Sequence, residues 1–91
     1  MKLEKLFEDI PYELIKGSMD NEIIDIAYDS RCVKDNYLFV AMIGNEHDGH
    51  EYIDMAIENG AKAILVSKNI DVDRDITVIK VENTRKILTI H

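Results

Sequence analysis

Three short stretches carry residue types that could do chemistry. Gly44 and Gly49 stand at the G-x-x-x-x-G spacing of a phosphate-binding loop, with Asn45, Glu46, His47 and Asp48 between them. His50 and Glu51 follow, where such a loop needs Lys and then Ser or Thr to reach the phosphates and their metal. Glu46 and Asp48 would also repel phosphate, so the spacing reads as a tight loop that uses glycine for backbone freedom. His47 and His50, with Asp48 and Glu51 beside them, have a spacing compatible with helical metal ligands. A structural zinc site wants four ligands, usually including cysteines, and Cys32 is the only thiol. A solvated loop and helix start is the plainer reading. In Asp29-Ser30-Arg31, a nucleophilic Ser30 would need a base and a third, orienting group. The G-x-S-x-G elbow that presents a serine nucleophile is missing. A hydroxyl that closes a turn or donates to a ligand fits better. Cys32 beside Arg31 has a neighbour that could lower its pKa, but a lone cysteine of this kind is by default inert.

The chain around these residues is 91 residues long, one domain at most. Hydrophobic residues make up 46% and charged residues 32%, the mix of a soluble globular protein rather than a disordered one. The formal net charge of −7 repels phosphate backbones and anionic lipid, which argues against nucleic acid and membrane surfaces as partners. No apolar run reaches the roughly 18–20 residues that span a bilayer. The N-terminal residues lack the apolar core and cleavage site of a secretion signal. With one cysteine and no disulfide possible, a reducing cytoplasm is the expected location.

Hydrophobic periodicity outlines the elements. Leu3, Leu6, Phe7 and Ile10 fall on one helical face, and Pro11 ends that helix. Residues 17–21 form a turn. Residues 22–28 read as a strand with Ile24, Ile26 and Tyr28 on one face, residues 29–36 as a polar loop, and 37–43 as a strand covered on both faces. A helix follows over about 50–59, capped by Asp48 with Glu51 reaching back, striped by Ile53, Ala56 and Ile57, and stopped at Asn59-Gly60. Strands follow at 62–66 and 76–81, separated by a charged loop. Asn83 can cap a last helix. That helix is about two turns long at His91, marginal by itself, which suggests a fragment of a longer protein. The order αββαββα favours parallel pairing and an α/β sheet.

Two polar loops, 29–36 and 44–50, flank strand 37–43. They lie at opposite ends of it unless strand 22–28 runs parallel to 37–43. In the parallel case Ser30 and Gly44 share the edge outside the carboxyl ends of the strands, where α/β sheets bind ligands. Ser30, Asn45, Glu46 and His47, with Tyr28, would there suit a flat polar heterocycle.

The motifs Ile26-Ala27-Tyr28-Asp29-Ser30-Arg31, Leu38-Phe39-Val40-Ala41, Gly44, Asp48-Gly49-His50-Glu51-Tyr52-Ile53, Ala56-Ile57 and Gly60-Ala61 occur in an order that closely resembles the N-terminal domain of the Mur ligases. The resemblance covers nearly the whole chain. The best match is the member that adds the third residue of the peptidoglycan stem peptide. The member that adds the terminal dipeptide is the alternative, and an acidic interaction module without a nucleotide site is the reading outside the family. The resemblance implies a small single-domain α/β sheet of about four or five strands with flanking helices. It also implies that this domain holds the uridine-diphosphate end of UDP-N-acetylmuramoyl-dipeptide. By position, Tyr28, Ser30, Asn45, Glu46 and His47 would contact that end. The triplet 45–47 departs from the His-Gln-Ala of some members, though backbone contacts survive a change of side chain. Where the family has Pro-Gly-Asp, this chain has Asp35-Asn36-Tyr37, and Asn36 stands in for the glycine because Asn tolerates the left-handed region. The family's ATP loop, Mg2+ ligands and modified lysine belong to a central domain, and its amino-acid site largely to a C-terminal one. Those parts are missing from this chain. The full-length protein would be an ATP-dependent amide ligase acting through an acyl phosphate. The 91 residues would hold substrate, without catalytic residues, metal or cofactor of their own.

Overall fold

Two strands with every residue buried or nearly so, β3 (Tyr37–Val40) and β4 (Ala63–Val66), form the middle of the sheet. The structure, a computed structural model, describes residues 2–41, 52–67, 72 and 74–82. Around the central pair lie β1 (Glu13–Lys16), β2 (Asp25–Ala27) and β5 (Thr77–Lys80), in the spatial order β1-β5-β4-β3-β2. The pairs β2/β3, β3/β4 and β4/β5 are parallel, and β1 closes the far edge antiparallel to β5.

The period-two alternation of the buried strands sends side chains to two cores. Phe39, Ala41, Ile64, Val66 and Val78 meet Ile53 and Ala56 of helix α2 (Ile53–Glu58) on one face. Leu38, Val40, Ala63, Leu65 and Ile79 meet Leu3 and Phe7, contributed by α1 (Leu3–Leu6) and the residue after it, on the other. Coverage of both faces explains the unbroken apolar runs at β3 and β4.

Among the described residues the expected elements are present with changed bounds. The first helix ends at Leu6 rather than Ile10. Glu8 and Ile10 donate to carbonyls three residues back, so the chain tightens into turns as it approaches Pro11. Its apolar face survives, with Leu3 and Phe7 fully buried. The strand expected over 22–28 shrinks to β2. As the edge strand it buries Ala27 and half-buries Ile26, leaves Ile24 and Tyr28 exposed, and is preceded by the buried Ile23. The fifth strand, β1, carries no alternation because its residues are mostly exposed; it forms by pairing with β5. The caps proposed at Asp48 and Glu51, the loop 44–49 and the helix after Asn83 lie outside the described residues.

Candidate functional site

In the parallel register Ala27 pairs with Phe39, so β2 and β3 end at the same edge of the sheet. This is the arrangement in which the turn after β2 reaches a ligand edge. A single 3-10 turn, Ser30–Cys32, forms there. Its geometry follows from Asp29, whose carboxylate accepts the Arg31 backbone N–H at 2.9 Å while its carbonyl accepts the Cys32 N–H at 2.9 Å. Arg31 folds back on the same carboxylate, with Nε 3.1 Å from Oδ1 and Nη2 2.8 Å from Oδ2. These side-chain bonds first, then the backbone one, lower the Asp29 pKa to about 2, and the carboxylate in turn raises that of Arg31. The Arg31 side chain is 82% exposed, so solvent screens the pair and it adds little to stability.

Ser30 itself is buried, at 4% exposure. Its hydroxyl donates to Met55 Sδ at 3.3 Å, and its carbonyl accepts from Asn59 Nδ2 at 2.8 Å. Both partners belong to α2 or its C-terminal cap, so the helix is one wall of the turn. A thioether cannot take a proton as a base, and Asp29 is committed to Arg31, so the described residues give no support to Ser30 as a nucleophile. Tyr28, two residues before, is 65% exposed, and Met55 is 44% exposed. The structure thus brings Tyr28 and Ser30 to the sheet edge, with the exposed Met55 side chain beside Ser30. Asn45, Glu46 and His47 lie outside the described residues.

Sequence reading did not single out Met55, and it assigned Asn59 only as a helix stop. The available signal was an apolar Met off the Ile53/Ala56/Ile57 stripe of an otherwise polar helix face.

The other end of the β2–β3 connection is held by the same helix terminus. Asn36 adopts φ 66°, the left-handed conformation expected of it, and donates its N–H to the Gly60 carbonyl at 2.9 Å.

Two open grooves lie at the opposite, amino-terminal edge of the parallel strands. One, of about 610 Å3, lies among Gly17, Asn21, Lys62, Arg74 and Thr77. The second, of about 500 Å3, runs on past Asn21 and Lys62 to Ile24 and Asn36. Neither touches the Ser30 turn, and ligands of open parallel sheets favour the carboxyl edge. Among the described residues there is no group of three or more His, Cys, Asp or Glu that could hold a metal. Nor does any helix among them have the length and apolarity to cross a membrane.

A short, mostly parallel sheet between helices, with a helix-braced turn at the carboxyl edge, defines a small α/β domain. Residues 22–90 match the family model described as "Mur ligase family, catalytic domain". The chain belongs to the Mur ligase family. It is 46% identical over 88 residues to the UDP-N-acetylmuramoyl-L-alanyl-D-glutamate--2,6-diaminopimelate ligase of Alkaliphilus oremlandii, covering 97% of this chain and 18% of that protein. It is 41% identical over 90 residues to the ligase of the same name from Clostridium perfringens, covering 99% of this chain and 19% of the relative. Among solved structures it superposes with a TM-score of 0.70 and 26% identity on the UDP-N-acetylmuramoylalanyl-D-glutamyl-2,6-diaminopimelate--D-alanyl-D-alanyl ligase of Acinetobacter baumannii. That match covers 97% of this chain and 19% of the other. The MurF ligase of Thermotoga maritima, solved in complex with ADP, matches at TM-score 0.58 and 35% identity over 70% of this chain and 14% of its own. The chain therefore spans about a fifth of the length of the curated relatives it matches.

Proposed function

We propose that this chain is the N-terminal, substrate-holding domain of a Mur ligase that adds the third amino acid to UDP-N-acetylmuramoyl-L-alanyl-D-glutamate. The domain grips the uridine-diphosphate end of that substrate in the cytoplasm. The names of the 40–46% identical relatives favour 2,6-diaminopimelate as the amino acid added and place the dipeptide-adding ligase second. The chain's net charge of −7 opposes a diphosphate, and Arg31 is already forked onto Asp29. Recognition therefore rests on the neutral base and not on phosphate contacts. Tyr28, Ser30 and the 45–47 loop carry it. Although the matching family model is described as a catalytic domain, this chain has His50 and Glu51 where a phosphate loop needs Lys and Ser or Thr, so no residue here is assigned to ATP or Mg2+. Those groups supply the acyl phosphate chemistry in other domains of the full-length ligase.

The observation that carries the reading is the parallel pairing of β2 and β3, which brings the Ser30 turn to the carboxyl edge. The test is an NMR titration of the chain with a UDP-sugar. Amide shifts should concentrate at residues 28–31 and 44–49, and a cytidine analogue should move them less. A hydroxyl-to-carbonyl hydrogen bond contributes roughly 0.5–1.5 kcal/mol net, so Ser30→Ala should weaken binding by about two- to tenfold without unfolding the domain. Shifts centred on the groove around Asn21, Lys62 and Arg74 would refute the assignment.

A further inference from the structure

The Ser30 hydroxyl is occupied before any ligand arrives. Its acceptor, the Met55 thioether 3.3 Å away, is a weak one. A heterocycle carbonyl is a stronger acceptor, so exchanging one for the other favours the ligand. Met55 also leaves 44% of its surface open, unlike its helix neighbours Ile53 and Ala56, which are buried in the core. Asn59, one helical turn further on, fixes the Ser30 carbonyl at 2.8 Å. The next residue, Gly60, accepts the Asn36 N–H at 2.9 Å, so one helix terminus ties down both ends of the connection that contains Ser30.

We infer that helix α2 tunes the ligand edge through two side chains. Met55 is a resting acceptor that parks the Ser30 hydroxyl and is displaced by the carbonyl of a bound base, and Asn59 is a positioning residue that presets the Ser30 backbone. This deepens the assignment of the Ser30 edge to a uridine nucleotide and rests on it. The two residues act with opposite sign. Met55→Leu keeps volume and removes the resting acceptor, so the buried hydroxyl loses a bond only in the free state. Asn59→Ala releases the carbonyl and loosens the turn that the ligand needs ordered.

The experiment titrates UDP into the isotopically labelled chain and into both variants, following the 28–31 amides and, where Met55 is present, its methyl group. Met55→Leu should bind UDP about two- to fivefold more tightly, the size of one weak hydrogen bond. Asn59→Ala should bind about three- to tenfold more weakly. In the wild-type chain the Met55 methyl should shift in step with the Ser30 amide. A purely structural Met55 would give unchanged or weaker binding in Met55→Leu, and either result overturns the parking role. Unchanged binding in Asn59→Ala overturns the positioning role. If Asn59→Ala fails to fold, Asn59→Gln, which keeps a donor amide on a longer arm, takes its place: intermediate affinity supports positioning and wild-type affinity overturns it. Wild-type chain that shows no UDP shifts at 28–31 instead refutes the nucleotide assignment, and the tuning proposal falls with it.

Discussion

Gly60→Ala should damage both the fold and the edge that the fold supports. Gly60 has φ 114°, a backbone conformation that L side chains rarely adopt. Forcing a side chain into positive φ costs about 1–3 kcal/mol where the surroundings hold it there. The added Cβ would run into the Asp35 carboxylate oxygen Oδ1, and behind it would sit 2.8 Å from the Cα of Asp35 and 2.9 Å from its backbone nitrogen. The carboxylate can swing away but the main-chain atoms cannot, and overpacking of this kind costs a further 1–3 kcal/mol or so. The expected loss is about 2–6 kcal/mol, set against a total of roughly 5–14 kcal/mol for a domain of this length. In thermal unfolding the midpoint should fall by on the order of 10–50 °C. Urea unfolding followed by circular dichroism measures the loss directly, provided the m-value stays constant. The identity of the obstacle is tested by repeating the substitution in an Asp35→Gly background. Because the Asp35 backbone atoms and the positive φ remain when its carboxylate is removed, Gly60→Ala should still cost most of what it costs in the parent. A loss below about 1 kcal/mol in the parent, or near-complete relief in the Asp35→Gly background, would refute the reasoning.

Three further outcomes are expected. Asn36→Ala should destabilise the chain by about 1–2 kcal/mol, since Asn36 holds φ 66°, while Asn36→Gly should be neutral or better; equal losses for the two in urea unfolding would contradict the backbone account. Cys32 is exposed and Cys32→Ser should shift stability by less than about 0.5 kcal/mol, with a larger loss showing that the thiol packs or ligates. Asp29 titrates at about 2 in the folded chain against 3.8 unfolded, so its pairing with Arg31 stabilises the fold above pH 4 and that contribution is lost as the pH falls from 4 through 2. The effect should be small because the pair is solvent-exposed. It would be read as a carboxyl carbon shift with a midpoint near 2, and as a stability gap between the parent and Asp29→Asn that closes in acid; a midpoint near 4 would contradict the pairing.

How much was legible in the sequence depends on how local each requirement is. The runs at β3 and β4 announced buried strands because both faces are covered, so no polar residue interrupts them. The spacing of Leu3 and Phe7 reported their common buried face although the helix proved shorter. Asn36 was readable as a left-handed residue because it stands where the resembled family has glycine, and a single φ angle is a property of one residue and its neighbours. Other features belong to no single segment. β1 exists because β5 lies beside it, and its four mostly exposed residues carry no pattern of their own. The relative direction of β2 and β3 was open in the sequence, and their parallel pairing alone decides that the Ser30 turn stands at the carboxyl edge. Tyr28 and Ser30 were legible as site candidates from their motif. The burial of Ser30, and its bonds to Met55 and Asn59, which stand 25 and 29 positions away, were not. Periodicity encodes which face of its own element a residue occupies, whereas a hydrogen bond between a turn and a helix depends on how the two elements dock across the core. That docking is where tertiary structure, and not sequence pattern, set the chemistry of the edge.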